Sequence, residues 1–209
     1  MGNARDASVT RLRIGVLALQ GDFEKHAEMM ARIPNVLAQP VKTAESVDLC
    51  DGLIIPGGES TTVGKLMDRY GVDAAIRRNV GRGMAVFGTC TGMILLAKEI
   101  EGSDQPRLGL MDITVRRNAF GRQIDSFEAD LDVEVIDGSP VRAVFIRAPF
   151  VTEVRGDAKV LARLATGEIV MVRQGNLLAA AFHPELTDDT RVHEYFAEIA
   201  RQARTASTK

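Results

Sequence analysis

The chain has 209 residues, of which 45% are hydrophobic and 26% charged, with a formal net charge of -2; this balance fits one buried globular core and excludes a disordered or nucleic-acid-coating chain. Its two cysteines, Cys50 and Cys90, are too few and too differently placed for a disulfide framework or a zinc site, and fit a reducing cytoplasm. No apolar run is long enough to span a bilayer, and residues 1–13 carry no signal-peptide core. Residues 1–10 and 205–209 read as disordered tails around a single domain, 11–204.

In chain order, LRIGVLAL (12–19) is an apolar run ended by Gly21, the mark of a strand buried on both faces of a parallel sheet. Phe23, Ala27, Met30 and Ala31 follow at helical spacing until Pro34 stops them, and NVLAQPV reads as the next strand. The device then repeats: a buried strand at Leu53 to Ile55, a Gly-Gly turn, a helix capped by Ser60 or Thr61 and running to about Tyr70, a second helix over 72–80, and the strand MAVFG. After that strand, TGMILLAKEI carries a helical pattern. From Gly109 onward the pattern changes to shorter strands in LMDITVRR, FEADLDVEV, RAVFIRA, KVLARLA and EIVMVRQGNLLAAAFHPE, where Gly175-Asn176 marks a hairpin. Asp188 or Asp189 caps a last helix whose apolar face is Val192, Tyr195, Phe196 and Ile199. The expected fold is α/β, a mostly parallel central sheet flanked by helices with added antiparallel strands.

The segment GTCTG places Cys90 between a buried strand and a helix start, the strand–nucleophile–helix elbow in which glycines permit the tight turn. Unpaired N–H groups and the partial positive charge of a helix N-terminus favour a thiolate there. The alternative is a small buried hydrophobe, the usual state of a free cysteine. A thiolate attacking an amide needs a base that later becomes the acid for departing ammonia, and there are three histidines. His183 is favoured because it ends the apolar run LLAAAF at a strand terminus, with Glu185 two residues on to orient it. His26 and His193 lie inside expected helices and read as solvated or packing residues. In PGGES, Gly58 is the candidate oxyanion donor beside the N–H of Thr91; alone, this stretch is an ordinary strand–helix loop with a serine cap.

Glycine loop, Gly-x-Cys-x-Gly and His-Pro-Glu in this order resemble the class I glutamine amidotransferases, whose triad is Cys, His and Glu. More narrowly, GVLALQGDFEKH, LIIPGGESTT, FGTCTGMILLAKEI, RNAFGRQIDSFEADL, FIRAP and AFHPELTDD are similar to the glutaminase subunits of pyridoxal 5'-phosphate synthases. The resemblance implies Cys90 as nucleophile and His183 and Glu185 as its relay. It also implies Gly57, Gly58, Glu59, Arg117, Ile146 and Arg147 at the bound L-glutamine. A guanidinium can hold the α-carboxylate in a bidentate way, and either Arg117 or Arg147 could supply it. At Thr91 the chain departs from the family, which more often carries alanine there; a β-branched side chain could narrow the pocket or alter access to the thiolate.

The resemblance further implies a glutaminase working through a γ-glutamyl thioester, with no metal or cofactor on this chain. Its ammonia passes to a (β/α)₈-barrel synthase subunit that builds pyridoxal 5'-phosphate in a hetero-oligomer. Two rivals stay open: a class I glutaminase serving another synthase, and a catalytically silent regulatory subunit of the same fold.

Overall fold

The computed structural model describes residues 11–117 and 126–207. In chain order the elements are β1 (Leu12–Leu17), α1 (Phe23–Ala31), β2 (Val36–Val41), α2 (Ala44–Asp48), β3 (Gly52–Ile55), α3 (Ser60–Arg69), α4 (Val72–Gly81), β4 (Ala85–Thr89), α5 (Thr91–Leu96) and β5 (Ala97–Ile100). They continue as β6 (Met111–Arg116), β7 (Ser126–Leu131), β8 (Val141–Ile146), β9 (Phe150–Val154), β10 (Lys159–Arg163), β11 (Ile169–Gln174), β12 (Leu177–Ala180), a 3-10 turn at Pro184–Leu186 and α6 (Arg191–Ser207). Ten strands form one sheet in the order β2-β1-β3-β4-β12-β11-β9-β6-β5, with β10 on β11; β7 and β8 pair separately.

The first five strands of that order are parallel throughout. Buried on every residue, β3, β4 and β12 are strands with both faces covered, which is why they read as continuous apolar runs. The β11–β12 hairpin then reverses direction, and β9 and β6 continue antiparallel. The two covering layers can be told apart at β4, where neighbouring side chains point to opposite faces. Phe87 meets the ring of Phe196 on α6 at 5.5 Å, whereas a Cβ on Gly88 would fall 2.4 Å from the carbonyl carbon of Gly92 on α5. Helices α1 and α6 therefore cover one face and α5 the other. Among the described residues no helix is long and apolar enough to cross a membrane.

Four local expectations are corrected. The cap of α3 is Glu59, whose extended backbone (φ -97°, ψ 112°) lets its carboxylate accept from the N–H groups of Thr61 and Thr62; Ser60 and Thr61 are the first helical residues. The helical pattern after Cys90 stops at Leu96, because Ala97 turns extended (φ -63°, ψ 140°) and β5 pairs in parallel with β6. Strand β9 and helix α2 are additional elements. At the C-terminus α6 runs to Ser207, past the start of the expected tail at 205; Ala203, just over a turn earlier, is still buried. Asp189 accepts from the Arg191 N–H at the start of α6, while Asp188 faces outward to Arg32. Residues 1–10 and 208–209, and 118–125 of the RNAFGRQIDSFEADL motif, lie outside the described residues.

Parallel pairing has one consequence for chemistry. The C-terminal ends of β1, β3, β4 and β12 lie side by side, so the loops that follow them share one edge of the sheet, the usual location of a ligand site in open α/β sheets.

Candidate active site

Those four loops carry Gln20, the Gly57–Glu59 turn, Cys90 and His183. Cys90 sits where β4 hands over to α5 with φ 49° and ψ -103°, a left-handed conformation that strains any residue but glycine. It is held there by its own N–H, which donates to the Ala180 carbonyl of β12 at 2.8 Å. The glycines on either side are demanded by close approach. A Cβ on Gly92 would come 2.2 Å from the Ile55 carbonyl oxygen, and one on Gly88 would strike the Gly92 backbone. The elbow thus fits only because α5 lies directly on β3 and β4.

His183 emerges three residues after β12, anchored by its N–H to the Val144 carbonyl at 2.8 Å. Its Nδ1 lies 2.7 Å from Glu185 Oε1, and its ring lines the same cleft as the Cys90 sulfur, whose thiol points to the Ile146 carbonyl at 3.8 Å. Burial pushes the imidazole toward its neutral form, but the sulfur and the Glu185 carboxylate outweigh it and raise His183 to about 10. Glu185 is buried in the 3-10 turn behind the imidazole, its side chain 1% exposed. Gly57 is the floor of the histidine's slot: a Cβ there would stand 2.5 Å from His183 Cε1.

A cleft of about 350 Å³ opens over this cluster, lined among others by Gly58, Glu59, Cys90, Thr91, Arg117, Ile146, Arg147 and His183. All the expected site residues except Gly57 and Glu185 reach its wall, and those two pack directly against His183. Thr91 ties down the glycine loop, its hydroxyl donating to the Gly58 carbonyl at 2.5 Å. The N–H of the same peptide, on Glu59, donates to Gln20 Oε1 at 2.9 Å. Glu59 is held at about 2 by the Thr62 hydroxyl and the Thr61 and Thr62 N–H groups. Arg117 donates to the buried Gln105 side chain and lies 3.9 Å from Glu59. Arg147, an exposed residue of the cleft wall, has a left-handed backbone with φ 43°. Cys50 is remote from all of this; its thiol donates to the Ser46 carbonyl at 3.3 Å, and burial pushes it up to about 11.

Sequence reasoning missed Gln20, Ser60 and Ile94 on the wall; of its two readings for His26 and His193, solvated or packing, burial against Phe87 bears out the second. His26 and His193 are both fully buried and touch, and His26 Nε2 reaches Glu185 Oε2 at 3.2 Å. The one signal available was that each lies on the apolar face of its own helix, three residues before Met29 or Phe196.

The model of the SNO glutamine amidotransferase family matches residues 16–202. The chain is 54% identical over 187 residues to pyridoxal 5'-phosphate synthase subunit PdxT of Carboxydothermus hydrogenoformans, covering 90% of this chain and 97% of the relative. It is 55% identical to the protein of that name from Pelotomaculum thermopropionicum, covering 90% and 94%. A crystal structure of a glutamine amidotransferase superposes with a TM-score of 0.85 at 50% identity, covering 90% of this chain and 98% of that one. The Thermotoga maritima PurLQS structure, at 17% identity and TM-score 0.65, shares the fold alone. With a family match that runs from the end of β1 past His183 and so spans the whole cleft, the chain belongs to the SNO glutamine amidotransferase family.

Proposed function

We propose that this chain is the glutaminase subunit of a pyridoxal 5'-phosphate synthase, hydrolysing L-glutamine in the cleft above Cys90 and passing the ammonia to a (β/α)₈-barrel synthase subunit in the cytoplasm. The carrying observation is that Cys90 and His183 line one cleft, with Glu185 Oε1 2.7 Å behind the imidazole. In this reading the Cys90 thiolate attacks the γ-carboxamide carbon, and the carbonyl π electrons move onto oxygen. Gly58 and Thr91 supply the N–H groups for that oxyanion. Arg117 or Arg147 takes the α-carboxylate, the Glu59 charge faces the α-ammonium, and Gly57, Gly58 and Ile146 shape the remaining wall.

The imidazole's charge supports both half-reactions. With His183 raised to about 10 beside the sulfur, an imidazolium stands ready near neutral pH to protonate the departing nitrogen, and the C–N bond breaks to give ammonia and a thioester. Acylation removes the charge on sulfur. The imidazole then keeps only Glu185 against its burial and becomes the better base, taking a proton from the water that attacks the thioester. Glutamate leaves, and the proton returns the pair to its starting state.

Incubation with an electrophilic glutamine analogue followed by mass spectrometry tests this, the expected result being a single adduct on Cys90. An unmodified Cys90 would favour a silent subunit. Reconstitution with the barrel subunit, and ammonia-dependent formation of pyridoxal 5'-phosphate, separates this reading from a glutaminase of another synthase.

A further inference from the structure

Behind the cleft, the polar contacts continue past Glu185 into the core. His26 on α1, Thr89 on β4 and His193 on α6 are each 0% exposed and lie on the α1–α6 side of the sheet. His26 Nε2 stands 3.0 Å from Thr89 Oγ1 and 3.2 Å from Glu185 Oε2, and His26 Nδ1 stands 2.9 Å from His193 Nε2. The rings of His26 and His193 rest edgewise on Phe87, at 6.4 and 6.2 Å between centroids. Among the described residues, Glu185 Oε2 has no well-aligned hydrogen bond, and His193 Nδ1 has no partner.

Two proton arrangements join these atoms, and they differ in cost. If His26 carried its proton on Nδ1, its Nε2 lone pair would face the carboxylate, and His193 would bury an N–H with no acceptor. In the reverse arrangement His193 Nε2–H donates to His26 Nδ1. The His26 Nε2–H is then shared between Thr89 Oγ1 and Glu185 Oε2, and the unmatched atom, His193 Nδ1, is a lone pair rather than a donor. Both imidazoles are neutral near pH 7, since burial lowers each of them. The second arrangement is the one that leaves no repulsion against the carboxylate.

We propose that His26, set in its Nε2–H tautomer by His193, is a positioning residue that fixes the Glu185 carboxylate and through it the His183 imidazole. This rests on the reading of Cys90, His183 and Glu185 as the reacting triad. A glutamate has one more torsion than the aspartate of many triads, and a buried carboxylate with one oxygen on His183 alone could turn about it. The His26 N–H, shared with Thr89 and 3.2 Å from the other oxygen, opposes that rotation electrostatically and keeps Oε1 in line with His183 Nδ1. The role is specific to the donor at Nε2: a glutamine at position 26 can place an amide N–H near the same point, whereas a leucine cannot.

The test is made on the full chain with the barrel subunit, comparing His26→Leu, His26→Gln and Cys90→Ala by glutamate release. For His26→Leu, kcat is expected to fall about 10- to 100-fold with KM within about twofold, the size of loss seen when an outer partner orienting a ligand histidine is removed. For His26→Gln, kcat is expected to lie at least about fivefold above that of the leucine variant. Equal kcat values for the two, or a loss carried mainly by KM, would overturn the proposal. In the parent protein, ¹⁵N spectra of the three imidazoles read the tautomers directly, whether or not any variant folds. A proton on His26 Nε2 with Nδ1 bare is expected, and a proton on Nδ1 would overturn the assignment. Undiminished turnover in Cys90→Ala would instead discard the triad, and the role given to His26 with it.

Discussion

A cysteine at φ 49° stores backbone strain of about 1–3 kcal/mol, and the clamp of β3, β4, β12 and α5 around it holds that strain in place. Replacing Cys90 by alanine is expected to abolish glutamine hydrolysis, whereas Cys50→Ala leaves it intact, because the Cys50 thiol is pushed up to about 11 and lies outside the cleft. Glutamate release by the two variants reads this directly, and an inactive Cys50→Ala would reverse the assignment. Glu185→Gln is expected to lower kcat by at least about 10²-fold with little change in KM, as the corresponding aspartate-to-asparagine change in a serine triad costs about 10⁴. An unchanged kcat would remove Glu185 from the relay. At this scale the site was readable where its signal is local. Glycines flanking Cys90 mark a turn, and His183 and Glu185 are two residues apart. It was unreadable at His26, which reaches Glu185 across 159 positions only because α1 and the loop after β12 are brought to the same edge of the sheet.

Elements were legible where burial alone decides them and illegible where pairing does. The runs that became β1, β3, β4 and β12 are apolar on both faces, so their sequence carries the pattern. Ala97–Ile100 reads as helix by propensity and is a strand because β6 offers it an edge. Strand β9, in turn, draws its place from β6 and β11. The seat of α5 is an intolerant contact: Gly92→Ala would drive a methyl into the Ile55 carbonyl. It is expected to destabilise by about 3 kcal/mol, the upper part of the usual overpacking range, read as a lowered urea midpoint. The junction of α1 and α6 makes a pH prediction. Burial lowers His26 well below its ordinary value, the neighbouring imidazoles adding to this, and lowers His193 to about 4. Between about pH 6.5 and 4 the unfolded chain therefore binds protons that the folded chain does not, and stability falls as pH drops through that window. His193→Leu is expected to flatten this limb by up to about 1.4 kcal/mol per pH unit, measured by urea unfolding at pH 4 to 6.5. An unchanged slope would place the proton uptake elsewhere. His183 acts in the opposite sense. Raised to about 10, its contribution is complete below about pH 6.5 and is lost as pH rises through about 10.

Taken as a whole, the molecule presents its cleft at the open edge of the sheet, with the glycine loop spanned by contacts from three separate places. Thr91 holds the Gly58 carbonyl, Gln20 holds the next N–H, and the Gly57 carbonyl lies where a Cβ on Gly21 would come within 1.8 Å of it. A β-branched residue after the nucleophile therefore acts here as a tie on the loop. Such a loop has few ways to adjust by itself, yet its two adjacent glycines allow a single peptide to rotate once an outside contact favours it. Hydrolysing glutamine with no acceptor for the ammonia is wasteful, so the isolated chain is expected to be a poor glutaminase whose oxyanion donors align when the barrel subunit docks. One aligned donor is worth roughly 10²–10³ in rate, and the expected signature is a rise of that order in turnover at saturating glutamine. The measurement is glutamate release by the purified chain alone and with the barrel subunit, with the synthase's other substrates left out so that docking is isolated from consumption of ammonia. Equal turnover in the two samples would end the gating idea and leave the cysteine, histidine and glutamate assignments standing. A rise confined to samples containing the synthase's other substrates would place the control in the partner's catalytic cycle rather than in its contact with this loop.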